Sequence, residues 1–285
     1  ESGYRRDGRD CAYRSDYYHN KLIVRRGVNK AHSFHDYIMD YGEYNPVKTE
    51  RVFFYNFEEY DSSRTRLHDS QNGAVCDRTI HYLKKEDIFI VHDIVIPGHD
   101  GSYTMGPLYH AQNIEDLGSG SFALSQSWIS MGKESSFTQP VGTSLFLHFP
   151  MGEFGFEMRT IDRDHFDQMT VSQFFAGYAN PLSPLSFISV LTPGRKERPD
   201  FFDSFRVEKK KKGLGLQFML KERKYTLFDR YCYESKIEDL NKRPAYSFAA
   251  GRESVFNLET DAYSSLVIED NSSVYYGAVD FSTLK

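Results

Sequence analysis

Cysteine is scarce in this chain of 285 residues, and its spacing is uninformative. The three cysteines, Cys11, Cys76 and Cys232, lie far apart and form no C-x-x-C pair. This pattern excludes a disulfide framework or a cysteine-rich metal centre as the basis of the fold. The cysteines therefore do not indicate whether the protein works in an oxidising or a reducing compartment.

A strong charge of one sign and a long hydrophobic run are also lacking. The chain carries 35 Lys and Arg against 40 Asp and Glu, a net charge of −5. Proteins that wrap nucleic acid have a strongly basic footprint, so we expect no nucleic-acid partner. No apolar run reaches the roughly 18–20 residues that cross a bilayer, so we expect no membrane span. The chain begins at Glu1 without a signal segment, which predicts a mature, processed or excised fragment.

Sequence motifs of several large enzyme classes are missing as well. The chain contains no P-loop, dinucleotide fingerprint, G-x-S-x-G elbow or H-E-x-x-H segment. These absences remove the main sequence support for P-loop NTPases, dinucleotide-dependent oxidoreductases, α/β-hydrolases and zinc peptidases.

Aromatic residues, by contrast, are abundant, with 23 Phe and 20 Tyr. They occur with β-branched residues in many short runs, which Gly, Pro, Asn or Asp separate. The predicted strands cover residues 52–57, 79–83, 88–96, 122–129, 144–149, 154–159, 185–191, 214–220, 225–231, 264–268 and 274–279. This spacing is typical of an antiparallel sandwich. We therefore predict an all-β fold, a large supersandwich-like antiparallel β-sandwich with few short helices.

Three segments give more detailed expectations. Residues 88–96 are nearly all apolar, which predicts a strand buried on both faces. Residues 164–175 are the best helix candidate, although their pattern also fits a strand. A charged segment between prolines, residues 193–200, is a candidate domain boundary. We expect one domain over residues 1–285, with a terminal sheet subdomain from about residue 204.

The most informative polar residues precede a short apolar strand, residues 22–24. Tyr17, Tyr18, His19 and Asn20 stand just before this strand, where the floor of a cleft would lie. A histidine beside tyrosines can act as a proton acceptor, a metal ligand or a substrate clamp. A buried histidine whose ring nitrogens are satisfied by the backbone fits the same spacing, so both interpretations stay open.

These residues belong to a segment, residues 13–26, that resembles the R-x-x-x-x-H-N segment of the heparinase II/III-like polysaccharide lyases. Further motifs agree in order along nearly the whole chain. They are the hairpin of residues 74–95, the Tyr109-His110 strand, the run of residues 185–193 and a late T-D-A element at residues 260–262. In that family the H-N segment lies in a β-sandwich that follows an α/α-toroid.

The resemblance implies a function, a partner domain and a metal. It implies β-elimination at a uronic acid, so the expected partners are an acidic polysaccharide and an upstream α/α-toroid domain that supplies part of the catalytic centre. It implies a catalytic segment formed by Tyr17, Tyr18, His19 and Asn20. It also implies a structural zinc ion held by His19 and, where the family has an Asp, by Glu1. A periplasmic or secreted protein is expected.

Other candidates rest on residue type alone. Arg64, Arg66 and His68 form a cationic alternating stretch that could line an acidic-sugar groove together with His110, or be a solvated edge strand. Residues 209–212 form a lysine run beside a predicted turn at residues 213–215, which is either a glycan-binding patch or a solubilising hairpin tip. His81 and His92 are expected to be packed or hydrogen-bonded. A non-catalytic carbohydrate-binding or architectural β-sandwich is the competing function.

Overall fold

The computed structural model describes residues 19–27, 48–130, 138–163, 166–195, 197–234, 246–249 and 251–280. These residues form an all-β protein whose paired strands are all antiparallel. The predicted fold class is confirmed. Among the described residues, no helix is long and apolar enough to span a membrane.

Three larger sheets make up the fold. The four-stranded sheet has the order β1 (Lys21–Arg26), β6 (Gly101–Ala111), β11 (Phe166–Ala179), β10 (Gly155–Arg163). The eight-stranded sheet has the order β2 (Lys48–Asn56), β3 (Tyr60–Asp69), β4 (Ala74–Leu83), β5 (Ile88–Pro97), β12 (Leu185–Pro193), β9 (Thr138–His148), β8 (Ser121–Ser130), β7 (Asn113–Gly118). The terminal five-stranded sheet has the order β13 (Arg206–Lys210), β14 (Gly213–Leu220), β15 (Arg223–Arg230), β20 (Ser264–Glu269), β21 (Val274–Val279).

Smaller elements complete the described chain. Two short hairpins pair β16 (Cys232–Glu234) with β17 (Tyr246–Phe248) and β18 (Glu253–Val255) with β19 (Leu258–Thr260). One 3₁₀ turn, Asp200–Ser204, precedes the terminal sheet. The terminal sheet uses residues 206–279, but whether this part is a subdomain stays a prediction.

The prediction for residues 88–96 is confirmed, because β5 lies between β4 and β12 in the eight-stranded sheet. Ile90 and Ile94 on one face and Val95 on the other are fully buried. One apolar cluster joins this strand to Met105 of the four-stranded sheet and to Leu227 of the terminal sheet. Burying each such side chain stabilises the fold by about 1.5–3 kcal/mol.

Of two local expectations, the segment that fitted a helix or a strand is a strand, and the predicted turn was misplaced. Residues 166–175 lie in the long strand β11, which pairs with β6 on one side and β10 on the other, so pairing with two neighbours overrides the helix-like spacing. The turn expected at residues 213–215 lies instead at residues 211–212. Gly213 and Gly215 are strand residues at close contacts: a Cβ on Gly213 would lie 2.3 Å from the carbonyl oxygen of Asp229.

Candidate functional site

Two of the sequence motifs meet at one end of the four-stranded sheet. Asn20 lies just before β1, and its side-chain Oδ1 accepts a hydrogen bond of 2.7 Å from the backbone N–H of His110, near the end of β6. The strands β1 and β6 are antiparallel, with Lys21 opposite Leu108, so the start of one strand meets the end of the other. His19 is half-buried and Asn20 is exposed at this position.

The strand pairing places residues of two more strands at the same end of the sheet. His110 lies opposite Thr170 of β11, and Thr170 lies opposite Arg159 of β10. Tyr109, the neighbour of His110, belongs to a buried apolar cluster. Because side chains alternate between faces, His110 and the residues in its row lie on the face opposite that cluster.

This face combines the side-chain types that recognise a carboxylate. Asn20 contributes an amide just before β1, and Lys21 and Arg159 contribute half-buried cations. His110 lies on the strand between them, with both ring nitrogens buried. Arg and Lys bind carboxylates through charge-assisted hydrogen bonds, and an amide donates without a charge of its own. We call Asn20, Lys21, His110 and Arg159 the Asn20–His110 face.

Three of the predicted site residues lie outside the described residues: Glu1, Tyr17 and Tyr18. The segment that should carry the proton-transferring hydroxyls is thus represented only by His19 and Asn20. Within the described part of the chain, no three His, Cys, Asp or Glu side chains are grouped to hold a metal ion. The zinc site at His19 and Glu1 stays a prediction.

The predicted groove-lining role of Arg64 and Arg66 needs correction. The strand β3 is not an edge strand, because β2 lies outside it, and both guanidinium groups are fully buried. Arg66 forms a bidentate pair with Asp77, with Nε–Oδ1 and Nη2–Oδ2 distances of 2.6 and 2.8 Å. Arg64 Nη2 lies 3.1 Å from the same carboxylate, and its Nη1 donates to the carbonyl oxygen of Arg230 at 2.7 Å.

These arginines therefore hold sheets together. Arg66 also donates to the carbonyl oxygen of Cys232, so both arginines connect β3 to the chain segment that ends the third strand of the terminal sheet. A buried charge that is paired and hydrogen-bonded in this way cannot reach a ligand in solvent. His68 has 21% of its side chain exposed and lies 3.5 Å from Glu50, and its role in substrate binding stays a prediction.

A second buried polar group lies nearby and was not predicted as a unit. Asp229 of β15 accepts hydrogen bonds from His81 Nε2 and His92 Nδ1, each at 3.0 Å, and His81 Nδ1 lies 3.1 Å from Ser62 Oγ. Burial alone would raise the pKa of Asp229, but the hydrogen bonds and charge interactions with the two histidines hold that pKa well below its ordinary value.

Ser62, His81 and Asp229 have the residue types of a catalytic triad with a serine nucleophile. Their burial nevertheless excludes nucleophilic catalysis. All three side chains are fully buried, so no substrate carbonyl can approach the serine oxygen. The expectation that His81 and His92 are packed and hydrogen-bonded is confirmed. No local pattern in the sequence indicates Asp229, because its two partners lie 148 and 137 residues away.

Two of the four lysines of the run, and Lys224 near it in the sheet, pair with carboxylates. Lys209 lies 2.5 Å from Glu153, Lys210 lies 2.5 Å from Glu208, and Lys224 pairs with Glu269. These exposed pairs screen the positive charge that a polyanion would need. The geometry favours the solubilising hairpin tip over a glycan-binding patch.

Comparison with known proteins gives partial structural matches. No family model matches the sequence, and no curated protein matches it. Among solved structures, a heparinase III with methylated lysines has 14% identity and a TM-score of 0.47 over 72% of this chain. A heparan sulfate lyase HepC from Pedobacter heparinus has 10% identity and a TM-score of 0.43 over 67% of this chain. A further heparinase III has 8% identity and a TM-score of 0.45 over 66% of it.

These matches concern only part of each solved protein. The chain spans 33% of the first structure, 32% of the second and 29% of the third, about a third of their length. The chain is therefore similar, over about two thirds of its own residues, to a portion of heparinase structures.

Proposed function

We propose that this chain is the β-sandwich part of a polysaccharide lyase that cleaves uronic-acid-containing glycans by β-elimination. The observation that carries the proposal is the hydrogen bond between His110 N–H and Asn20 Oδ1. It joins two segments, 90 residues apart, that each resemble a heparinase II/III-like motif. The motifs were recognised separately in the sequence, and they meet at one sheet end.

The residue types of the Asn20–His110 face suit the first step of this chemistry. Removing the proton alpha to a uronate carboxylate is difficult until the carboxylate charge is neutralised. Asn20, Lys21 and Arg159 are groups that can neutralise it. His19 or a tyrosine hydroxyl of the preceding segment would accept the proton, and a second hydroxyl would protonate the leaving glycosidic oxygen.

Other parts of the proposal follow from the family resemblance. An upstream α/α-toroid would supply the remaining catalytic groups, because base, acid and neutralising group must surround one sugar at hydrogen-bond distance. A zinc ion on His19 and Glu1 would brace the segment before β1. The substrate, an extracellular acidic polysaccharide, agrees with a periplasmic or secreted protein.

The competing function is a non-catalytic carbohydrate-binding or architectural sandwich, and one observation favours its architectural form. Arg64 and Arg66, the strongest cations predicted to line a groove, are committed to Asp77 in the interior. A binding module would bind glycans without forming an unsaturated product, so product formation separates the two functions.

The test uses the protein with its upstream domain and follows the ultraviolet absorbance of the unsaturated uronate. We expect Asn20→Ala and His110→Ala to lower kcat/KM by about 10²-fold or more if they act in the transition state. His99→Ala is the matched control, since His99 is exposed and precedes the opposite end of β6, about 30 Å from His110. Unchanged turnover in both variants would refute the site.

A further inference from the structure

A pocket of about 610 Å³ opens at another part of the fold. Its wall is built from the β7–β8 hairpin, the segment that follows β9, the start of β10, and the 3₁₀ turn with the residue after it. It shares no residue with the Asn20–His110 face. Pockets of about 300–1,000 Å³ hold small-molecule ligands, so the volume is in the range of a binding site.

Phenylalanine rings are the most frequent side chains in the pocket wall. The five lining phenylalanines are Phe122, Phe149, Phe156, Phe202 and Phe205. The rings of Phe149 and Phe156 have centroids 5.7 Å apart, and Phe122 lies 6.0 and 6.1 Å from them. Phe156 stays 39% exposed although its neighbours are buried. An exposed aromatic ring in a concave wall offers a flat face to a ligand.

His148 gives the pocket a neutral polar group. Its ring stacks on Phe202 with centroids 4.7 Å apart and planes 13° apart, and its Nδ1 lies 2.9 Å from Ser121 Oγ. Burial, helped by the nearby Arg198, lowers the pKa of His148 to about 4. The imidazole is therefore uncharged at neutral pH and can exchange hydrogen bonds without attracting an anion.

The charged groups of the pocket are both carboxylates. Asp116 and Asp203 line it, and none of its lining residues is Lys or Arg. Arg198 forms a bidentate pair with Asp203, with N–O distances of 3.0 and 2.6 Å, but does not itself line the cavity. An anionic ligand would meet the negative charge of Asp116, while the Arg198 cation offsets the charge of Asp203. Hydroxyl groups would find hydrogen-bond acceptors on both carboxylates.

We propose that this pocket binds a neutral sugar unit, with the apolar face of the ring against Phe156 and hydroxyl groups donating to Asp116 and Asp203. The partly positive C–H groups of a sugar ring are attracted to the negative face of an aromatic ring. Carboxylate oxygens accept hydrogen bonds from hydroxyls at close range. The site goes beyond the proposed function, because it selects an uncharged sugar where the Asn20–His110 face suits a uronate.

The test adds three probes to the 285-residue chain and follows backbone amide NMR shifts. The probes are cellobiose, which is neutral, D-glucuronate, which is anionic, and choline, which is cationic. We expect cellobiose to shift the amides of Gly118, Gly120 and Gly152 saturably, and the other two probes to leave them unchanged. Stronger shifts with choline would mean a cation site, and stronger shifts with glucuronate a uronate site; either result, or no shift with cellobiose, overturns the proposal.

Matched variants locate the binding. Phe156→Ala should weaken cellobiose binding about tenfold. Met158→Ala is the control, since Met158 lies two residues along β10, is 42% exposed and does not line the pocket. Gly152→Leu provides a second variant that leaves the aromatic wall intact, because a Cβ on Gly152 meets no atom within 4 Å. It should block binding by filling the cavity; equal binding in wild type, Phe156→Ala and Gly152→Leu contradicts the site.

The outcome is independent of lyase activity. A chain that binds cellobiose at these residues but whose longer form produces no unsaturated uronate would leave this proposal standing and remove the proposed function. An active lyase whose pocket residues do not respond to cellobiose would do the reverse.

Discussion

Arg66 and Asp77 form a bidentate ion pair in which neither side chain is exposed to solvent. Removing Arg66 takes away the bidentate partner of Asp77 and leaves only Arg64 beside this carboxylate, and breaking a buried pair costs about 3–5 kcal/mol. We therefore expect Arg66→Ala to lower the free energy of unfolding by that amount, measured by urea denaturation. The exposed neighbour Thr65 is the control, and Thr65→Ala should change stability by less than about 0.5 kcal/mol. Similar small effects in both variants would contradict the structural role of Arg66.

The pocket histidine predicts a pH dependence of stability. The pKa of His148 falls from the ordinary 6.5 to about 4 in the folded protein. The unfolded chain therefore binds a proton at higher pH than the folded chain, and stability decreases as pH falls from about 6.5 to about 4, by at most about 3 kcal/mol. In His148→Gln this part of the loss of stability at acidic pH should disappear. Unfolding curves of both proteins at several pH values measure it, and parallel profiles would show that His148 does not contribute.

The contribution of Asp229 to stability changes with pH over a more acidic range than that of His148. Its folded pKa lies well below 3.8, so its contribution to stability is complete above that value and is lost as pH falls below it. Asp229→Asn should therefore destabilise the chain most near neutral pH, with the difference from wild type shrinking in strong acid. The same unfolding measurements check this, and a pH-independent difference would mean that the effect comes from packing rather than charge.

The zinc prediction can be checked on the chain itself. If His19 and Glu1 are ligands, zinc should bind weakly, because two protein side chains are fewer than the three or four that hold zinc in proteins. Equilibrium dialysis followed by elemental analysis should show a zinc affinity that decreases in His19→Ala and is unchanged in His99→Ala. Tight stoichiometric zinc that survives His19→Ala would refute the site.

The tyrosines before β1 give the most direct test of proton transfer. Tyr17→Phe and Tyr18→Phe keep the ring and delete only the hydroxyl. In a longer protein that carries the proposed upstream domain, one of them should lose about 10²–10⁴-fold in turnover if that hydroxyl transfers a proton. Turnover is followed by the ultraviolet absorbance of the product. Full activity in both variants would exclude these hydroxyls.

Strands were predictable because their signal is local. The alternation and apolar content of β5, β12 and β14 are complete within each segment, so neighbouring strands add little information. The strand β11 was ambiguous for the opposite reason: its spacing of aromatic residues fits a helix, and only pairing with β6 and β10 decides the structure. Pairing partners are set by the whole sheet rather than by the segment.

The candidate site was predictable in part, and the rest depended on long-range neighbours. The motifs around Asn20 and His110 were visible in the sequence, but their hydrogen bond was not. Arg64 and Arg66 alternate with polar residues as an exposed strand would, yet the terminal sheet, more than 130 residues later, covers them. The pocket that contains His148 is lined by four separate chain segments, so no local sequence pattern predicts it.

The polar contacts between β3, β4 and the terminal sheet also bear on how the protein can be divided. Two sheets that meet through apolar side chains alone can shift relative to each other. The hydrogen bonds from Arg64 to Arg230 and from His81 to Asp229 are directional, so they fix one alignment of the terminal sheet on β3 and β4. A chain cut before Arg206 would leave the histidines and arginines of β3 to β5 facing water without their acceptors. Any engineered transplant of this module into another protein must therefore include the terminal sheet.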